Sequence, residues 1–145
     1  MKNRVDVLHG VNFDVLHKRP AGVYGGLKLT ELELRIKSFA RELGLESRFF
    51  QTNHEGEYCE LLHRAAQSAD ALVLNPGAWT HYSWAIRDAL EVSGLPAVEV
   101  HISQVDGRED WRAFSVIRDV CVGRVQGKGV DGYREALQLL GKELA

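Results

Sequence analysis

Hydrophobic and polar positions follow two different periods along this chain. Short runs rich in β-branched and aliphatic residues predict five strands, RVDVL, ESRFFQT, ALVLN, PAVEVH and VCVGRVQ, which begin at positions 4, 46, 71, 96 and 120. Between these runs, apolar residues recur at a period near 3.6, as at Leu29, Leu32, Ile36, Phe39 and Leu43, and this spacing predicts helices. The predicted helices cover approximately 29–43, 58–69, 83–92 and 133 to the end.

The regular alternation of strands with helices predicts an α/β protein. The run ALVLN is apolar throughout, which is typical of a parallel strand covered on both faces. We therefore expect a flavodoxin-like, doubly wound five-stranded parallel sheet in three α/β/α layers, with residues 1–145 forming a single catalytic domain. Such sheets bind ligands beyond the carboxyl ends of their strands, which directs attention to the loops 9–26, 52–56, 75–83, 101–112 and 127–132.

Composition and charge indicate which kinds of partner the protein binds. Apolar residues make up 45% of the chain, charged residues 26%, and the net charge is −2, as in an ordinary soluble globular protein without a nucleic-acid footprint. No run is long enough for a signal peptide or a membrane span, so a cytoplasmic location and no membrane partner are expected. Cys59 and Cys121 have no metal-ligand spacing and are expected in the core, on a helix and in a strand respectively.

Two apparent cofactor signals are weak. The six histidines never occur at H-x-H or H-x-x-x-H spacing, which disfavours a metal site. The stretch GKGVDG matches G-x-G-x-x-G, but too little chain follows Gly132 to complete a dinucleotide-binding unit, so a glycine turn before the last helix explains it better. A nucleotide or flavin binder remains an alternative that rests only on the fold and on this stretch; no cofactor is expected.

The stretch NPGAWTHYS concentrates hydrogen-bonding groups between the third strand and the next helix. An N-capping turn would account for Thr80 or Ser83. It would leave Asn75 and His81 without a role, although both follow directly from the end of a strand where a parallel sheet presents its ligands. Asn75 and His81 are therefore candidate binding residues.

The stretch EVHIS closes the fourth strand. Strand alternation places Glu99 and His101 on the same side, where the carboxylate can orient the imidazole and hold it protonated. This arrangement suits a general acid. Ile102 and Ser103 follow at once and offer backbone N–H groups and a hydroxyl.

Two arginines follow this strand at helical spacing. Arg108 fits a solvated face on which it pairs with Glu109 and Asp110. Arg112 is the better candidate for holding an anion or a diol, because a guanidinium presents a planar fork of donors. We therefore expect Arg112 in the site and Arg108 at the surface.

The loop after the first strand carries an arginine five residues before a tyrosine. A guanidinium beside a phenol favours the phenolate, and a mobile loop could bring such a pair over a substrate. An incidental surface loop, with a snorkelling Arg19 and a half-buried Tyr24, explains the spacing about as well. Spacing alone leaves both interpretations open.

Taken together, these stretches resemble the type II 3-dehydroquinate dehydratase family over nearly the whole chain. The resemblance is carried by HGVNFDVLHKRPAGVYG at 9–25, by NPGAWTHYSWAIRDA at 75–89, by EVHIS at 99–103 with the following arginines, and by GKGVDGY at 127–133. The first three of these stretches are separated signatures in the same order and with matching spacing, and they form a specific signal. The resemblance implies a lyase that converts 3-dehydroquinate to 3-dehydroshikimate without metal, cofactor or Schiff base.

The resemblance also implies residue roles. Tyr24 would remove the proton from C2, beside the ketone, and Arg19 would sustain the tyrosinate. Asn12 would help hold the water that supports the enolate. His101, oriented by Glu99, would protonate the departing C1 hydroxyl.

Substrate-binding roles follow in the same way. Asn75, with Ile102 and Ser103, would bind the carboxylate, while His81 and Arg112 would hold ring hydroxyls. Asp88 would reach the site of a neighbouring subunit, and the assembly would be a homododecamer built from trimers.

Several positions depart from the family pattern around the first signature. They are His9, Val11, Phe13, His17 and Pro20, whereas the proposed catalytic groups are all present. Pro20 restricts the preceding Arg19 to extended or polyproline backbone angles. The departures motivate an alternative, a divergent relative with little or no activity that binds a similar cyclic polyol acid. The same reaction serves aromatic amino-acid biosynthesis through chorismate and the breakdown of quinate.

Overall fold

Five parallel strands form one sheet in the order β2-β1-β3-β4-β5. The computed structural model describes all residues, 1–145. The strands are β1 (Arg4–His9), β2 (Glu46–Gln51), β3 (Ala71–Asn75), β4 (Ala97–His101) and β5 (Gly123–Gln126). The order reverses direction between β1 and β3, the arrangement of a flavodoxin-like doubly wound sheet, and the predicted fold class is confirmed.

Helices cover both faces of the sheet. They are α1 (Ala21–Tyr24), α2 (Leu29–Glu42), α3 (Glu55–Ser68), α4 (Trp84–Ser93) and α5 (Asp131–Leu144). The apolar stripes of α2 and α5 pack with one face of the strands, and those of α3 and α4 pack with the other. None of these helices has the length and apolar character that a membrane span requires.

The prediction was wrong about the start of the last strand and about Cys121. Residues Arg118–Val120 form a 3₁₀ turn, and β5 begins only at Gly123, so Cys121 lies in the connection before the strand. The turn forms because the Ser115 hydroxyl accepts hydrogen bonds from the backbone N–H groups of Ile117 and Arg118. Cys59 lies on α3 as expected; both thiols are half-buried beside the apolar layer under α3 and α4.

The loops after β1 and β3 are joined at their first residues. The Gly10 N–H donates a hydrogen bond of 2.8 Å to the carbonyl oxygen of Asn75. The Gly10 Cα faces the backbone of Pro76, so closely that an added Cβ would overlap the Pro76 carbonyl group and lie 2.7 Å from its Cα. Two loops at the carboxyl edge of the sheet are thereby brought into backbone contact.

We predict that Gly10→Ala lowers the free energy of unfolding by about 1–3 kcal/mol, because a methyl group placed against rigid backbone forces the two loops apart. Urea denaturation measures this value. Gly56→Ala is the matched control: Gly56 lies in α3 with no atom within 4 Å of an added Cβ, so alanine is expected to leave stability equal or higher. Equal stabilities for Gly10→Ala and the wild type would contradict the assigned contact.

Candidate active site

A cavity of about 360 Å³ opens at the carboxyl ends of β1, β3 and β4. The loops that follow these three strands supply its walls, as the sheet topology predicts. The cavity is lined by most of the residues that the sequence singled out, namely Asn12, Arg19, Tyr24, Asn75, His81, His101, Ile102, Ser103 and Arg112.

The Tyr24 hydroxyl oxygen lies between two guanidinium groups. Arg19 Nη2 donates to it at 2.7 Å and Arg108 Nη1 donates to it at 2.9 Å. The Arg19 guanidinium also lies over the tyrosine ring, 4.4 Å from the ring centre. Two cationic donors directed at one oxygen suit the negative charge of a phenolate.

The backbone around Arg19 explains how the loop reaches this geometry. Arg19 has φ −80° and ψ 156°, the extended conformation predicted from the following Pro20. Pro20 then precedes the single helical turn α1, and Gly25, at φ 82°, ends that turn in the left-handed conformation. Arg19 and Tyr24 therefore leave the backbone on either side of one short turn and meet above it.

Glu99 and His101 form a buried, hydrogen-bonded pair beside the cavity. His101 Nε2 lies 2.6 Å from Glu99 Oε2, as strand alternation predicted, and the Glu99 carboxylate also accepts hydrogen bonds from Ser115 and Arg124. Burial alone would raise the pKa of the Glu99 carboxyl, but His101, Ser115 and Arg124 outweigh burial and lower this pKa from 4.5 to about 2. The carboxylate thus fixes the ring and leaves Nδ1 without a protein partner.

His81 is held in one tautomer. Its Nδ1 lies 2.7 Å from the carbonyl oxygen of Phe114, and because a carbonyl only accepts, Nδ1 carries the proton. Burial, the largest cause, lowers the pKa of His81 and outweighs the hydrogen bond to Phe114, which raises it, so the neutral ring is favoured. Nε2 of His81 is therefore a hydrogen-bond acceptor suited to a hydroxyl.

A third group of polar atoms gathers where β3 and β4 end. The side-chain oxygen of Asn75 accepts a hydrogen bond from the Gly77 N–H, and its amide nitrogen faces the Tyr133 hydroxyl at 3.4 Å. The backbone N–H groups of Ile102 and Ser103 donate to no acceptor within the chain. Two free amide donors beside a side-chain amide suit a carboxylate.

Asn12 has a backbone role that the sequence did not reveal. It adopts φ 71°, the only positive φ at a residue other than glycine, and asparagine tolerates this left-handed conformation. Its N–H donates to the side-chain oxygen of Asn53 at 2.9 Å. This conformation turns the chain out of β1 and places Asn12 in the cavity wall.

The prediction about the two arginines was wrong for Arg108. Arg108 donates to Tyr24 and to the Ser103 hydroxyl inside the cavity, whereas Arg112 pairs with Glu109 at 2.7 Å while also lining the cavity. The one-turn helix Val105–Gly107 reverses the chain and returns Arg108 toward the β1 loop. Local spacing could not show this, because Tyr24 lies 84 positions away.

Asp88 stands apart from the other predicted residues. It is exposed on α4 and does not line the cavity of its own chain. Trp84, four residues earlier and therefore on the same side of the helix, is more than half exposed, as are Tyr82 and Phe114.

Nowhere do three His, Cys, Asp or Glu side chains gather in a way that could hold a metal ion.

Two of the unusual residues of the first signature, His9 and Phe13, pack with each other. His9 is fully buried, stacked on Phe13 at 5.4 Å and on Phe49 at 6.2 Å between ring centres. Its Nε2 lies 3.1 Å from the Glu33 carboxylate, at an angle that makes no hydrogen bond. Val11 packs where Gly77 comes closest to the β1 loop. Val11 and Phe13 line the cavity, whereas His17 and Pro20 are exposed on the β1 loop.

Fold and cavity together define a flavodoxin-like α/β protein with a polar cavity at the carboxyl edge of its sheet. The family model for dehydroquinase class II matches residues 3–141. The 3-dehydroquinate dehydratase of Pelotomaculum thermopropionicum is 50% identical over 135 residues, which cover 93% of this chain and 94% of the relative. The chain belongs to the class II dehydroquinase family.

Solved structures are similar along almost their whole length. The type II dehydroquinase of Butyrivibrio crossotus has a TM-score of 0.91 at 38% identity and covers 96% of this chain and 97% of its own. The type II dehydroquinase of Propionibacterium acnes has a TM-score of 0.92 at 37% identity, with 98% of each chain covered.

We predict that the free energy of unfolding falls as the pH drops from 4.5 toward 2, by on the order of 2–3 kcal/mol from Glu99 alone. Because the folded pKa of this carboxyl is depressed, its stabilisation is complete above the unfolded pKa and is lost as the pH falls through the folded pKa. Urea denaturation across this pH range should show that the free energy of unfolding of Glu99→Gln depends less steeply on pH than that of the wild type. Glu46→Gln, at an exposed position on β2, should keep the wild-type slope. Parallel slopes for Glu99→Gln and the wild type would refute the assignment.

Proposed function

We propose that this protein is a cofactor-independent hydro-lyase that dehydrates 3-dehydroquinate to 3-dehydroshikimate by anti elimination through an enolate. The observation that carries the proposal is the pairing, within one cavity, of a phenol oxygen held by two guanidinium groups with a histidine held by a buried carboxylate. The family and the similar 3-dehydroquinate dehydratases support the same substrate. The single domain of residues 1–145 would carry the whole activity.

The first step uses Tyr24 as the base. A proton on C2, beside the ketone, is acidic enough for a phenolate to remove, and the C2–H electron pair moves to form an enolate with charge on the C3 oxygen. Arg19 and Arg108, which both donate to the Tyr24 oxygen, support the phenolate before the transfer. Asn12, in the cavity wall, would hold the water that stabilises the enolate oxygen.

The second step uses His101 as the acid. The enolate collapses to form the C1–C2 double bond, the C1–O bond breaks, and His101 protonates the departing hydroxide so that it leaves as water. Hydroxide is a poor leaving group, which is why the reaction needs an acid opposite the base. Glu99 holds His101 through Nε2, so Nδ1 is the nitrogen that would carry the transferred proton.

The remaining polar groups would bind and orient the ring. Asn75 and the free backbone N–H groups of Ile102 and Ser103 suit the substrate carboxylate. The acceptor nitrogen of neutral His81 and the guanidinium of Arg112 suit ring hydroxyls. These contacts would align the C2–H bond with Tyr24 and the C1 hydroxyl with His101.

We also propose that the chain works as a homo-oligomer, a homododecamer built from trimers, in which Asp88 completes the site of a neighbouring subunit. The exposed face of α4 supports this assembly, because Asp88 shares that side of the helix with Trp84 and lies outside its own cavity. We propose a cytoplasmic location. The reaction fits aromatic amino-acid biosynthesis and quinate breakdown equally well.

The direct test mixes the purified protein and chelator with 3-dehydroquinate and follows the conjugated enone of the product by ultraviolet absorbance. We predict that Tyr24→Phe lowers kcat by about 10²–10⁴-fold while substrate binding persists, because only the base is removed. Arg19→Ala should be nearly as damaging. Tyr82→Phe, at an exposed tyrosine outside the cavity, is the control and should retain full activity.

Binding of 3-dehydroquinate without turnover by the wild type would support the alternative, a divergent relative that binds a cyclic polyol acid. Substantial activity of Tyr24→Phe would refute the assigned base. The substitutions at His9, Val11, His17 and Pro20 are what favour the alternative, and they leave the guanidinium contacts of Tyr24 intact.

The shared site is tested by mixing subunits. We predict that Tyr24→Phe and Asp88→Asn are each strongly impaired, and that unfolding and refolding them together restores part of the activity. Some sites then combine Tyr24 from one subunit with Asp88 from another. Two Tyr24→Phe samples treated in the same way are the control. Sedimentation should give a mass well above the 16.2 kDa of one chain, and a monomeric, fully active protein would disprove the assembly.

A further inference from the structure

The glycine turn at 127–130 and the tyrosine that follows it have no part in the mechanism above. GKGVDG is nevertheless packed against the end of β4. The Gly127 N–H donates to the Ser103 carbonyl oxygen at 3.1 Å, and the Gly129 N–H donates to the Ile102 carbonyl oxygen at 3.2 Å. Two consecutive carbonyl groups are therefore held by two N–H groups of one turn.

These hydrogen bonds determine where the opposite sides of the same peptide units point. In a planar trans peptide the N–H is directed away from the carbonyl oxygen. Holding the Ile102 carbonyl therefore fixes the direction of the Ser103 N–H, which belongs to the same peptide unit. This N–H and that of Ile102 donate to no acceptor within the chain, and both residues line the cavity.

The same segment reaches Asn75. Tyr133 is fully buried at the start of α5, and its hydroxyl oxygen lies 3.4 Å from the Asn75 amide nitrogen. Burial raises the pKa of the Tyr133 hydroxyl above its ordinary value, so it stays protonated and neutral. With Gly77 donating to the amide oxygen, Asn75 is held at both ends.

Close packing explains why Gly127 and Gly132 carry no side chain. Gly127 has φ 74°, and an added Cβ would overlap the Gln104 side-chain oxygen and lie 3.2 Å from the Gln104 Cβ. Gly132, just before Tyr133, would bring a Cβ to 3.2 Å from Val125 on β5. Gly129 has φ 59° but open space around it. Gly127 therefore differs from Gly129 in its contact with the residue next to Ser103.

We propose that the segment 127–133 positions the carboxylate-binding groups: Gly129 orients the Ser103 N–H through the Ile102 carbonyl, Gly127 holds the next peptide unit through the Ser103 carbonyl, and Tyr133 orients the Asn75 amide. The inference rests on the proposed function, because it assumes that these groups bind the carboxylate. Tyr133, Gly127 and Gly129 are positioning residues that touch no substrate. GKGVDG thereby acquires a role unrelated to phosphate binding.

The test separates binding from chemistry in Tyr133→Phe, which keeps the ring and removes only the hydroxyl. We expect KM for 3-dehydroquinate to rise about 3- to 10-fold, the loss of one hydrogen-bonding partner, while kcat changes less than about 2-fold. Calorimetric titration with quinate, an unreactive carboxylate of similar shape, should show an equal loss of affinity. A lower melting temperature with unchanged KM and quinate affinity would mean that Tyr133 is merely structural.

Gly127→Ala provides an independent test of the turn. We expect KM to rise in this variant. Combining it with Gln104→Ala removes the overlapping side-chain oxygen, so KM should recover in part. Gly129→Ala shares the positive φ without the overlap, so its rise in KM should be smaller. If the wild type neither turns over 3-dehydroquinate nor binds quinate, the proposed function fails. If it does both, and neither Tyr133→Phe nor Gly127→Ala changes KM, the positioning inference alone fails.

Discussion

A carboxylate with no solvent exposure organises the histidine side of this cavity. Glu99 lies on β4, and an unpaired charge at such a position would cost several kcal/mol. Its partners come from three parts of the chain: His101 on the same strand, Ser115 in the following connection and Arg124 on β5. The requirement to compensate this one charge holds the long connection after β4 against the sheet and keeps the histidine ring at the cavity.

The tyrosine side of the cavity is built differently. Tyr24 and its two arginines are half-buried and belong to loops, and their hydrogen bonds join the β1 loop to the connection after β4. The buried ring of His9 supports this arrangement, because it stacks on Phe13 in the loop and on Phe49 of β2. His9 and Phe13 thus form a packed pair within the first signature, and a change at one of them requires accommodation by the other.

Sequence reasoning was strongest where periodicity and topology decide the outcome. The two-residue period put Glu99 and His101 on one side of a strand. The rule for parallel sheets selected five loops, and three of them, 9–26, 75–83 and 101–112, line the cavity. It failed for Arg108, for the start of β5 and for α1, because turns of three or four residues leave no periodic signal and depend on distant partners. Resemblance to the family supplied the roles, which neither spacing nor charge could assign to Arg19 and Tyr24.

The backbone contact between Gly10 and Pro76 limits which segments can be exchanged by recombination or by engineering. The loop that carries the phenol and the loop that carries Asn75 and His81 begin within one hydrogen bond of each other, with no room for a side chain between them. A graft or recombination that exchanges one of these segments alone must reproduce the same backbone path at the other. The two segments therefore constitute a single exchangeable module, even though α2, β2 and α3 separate them along the chain.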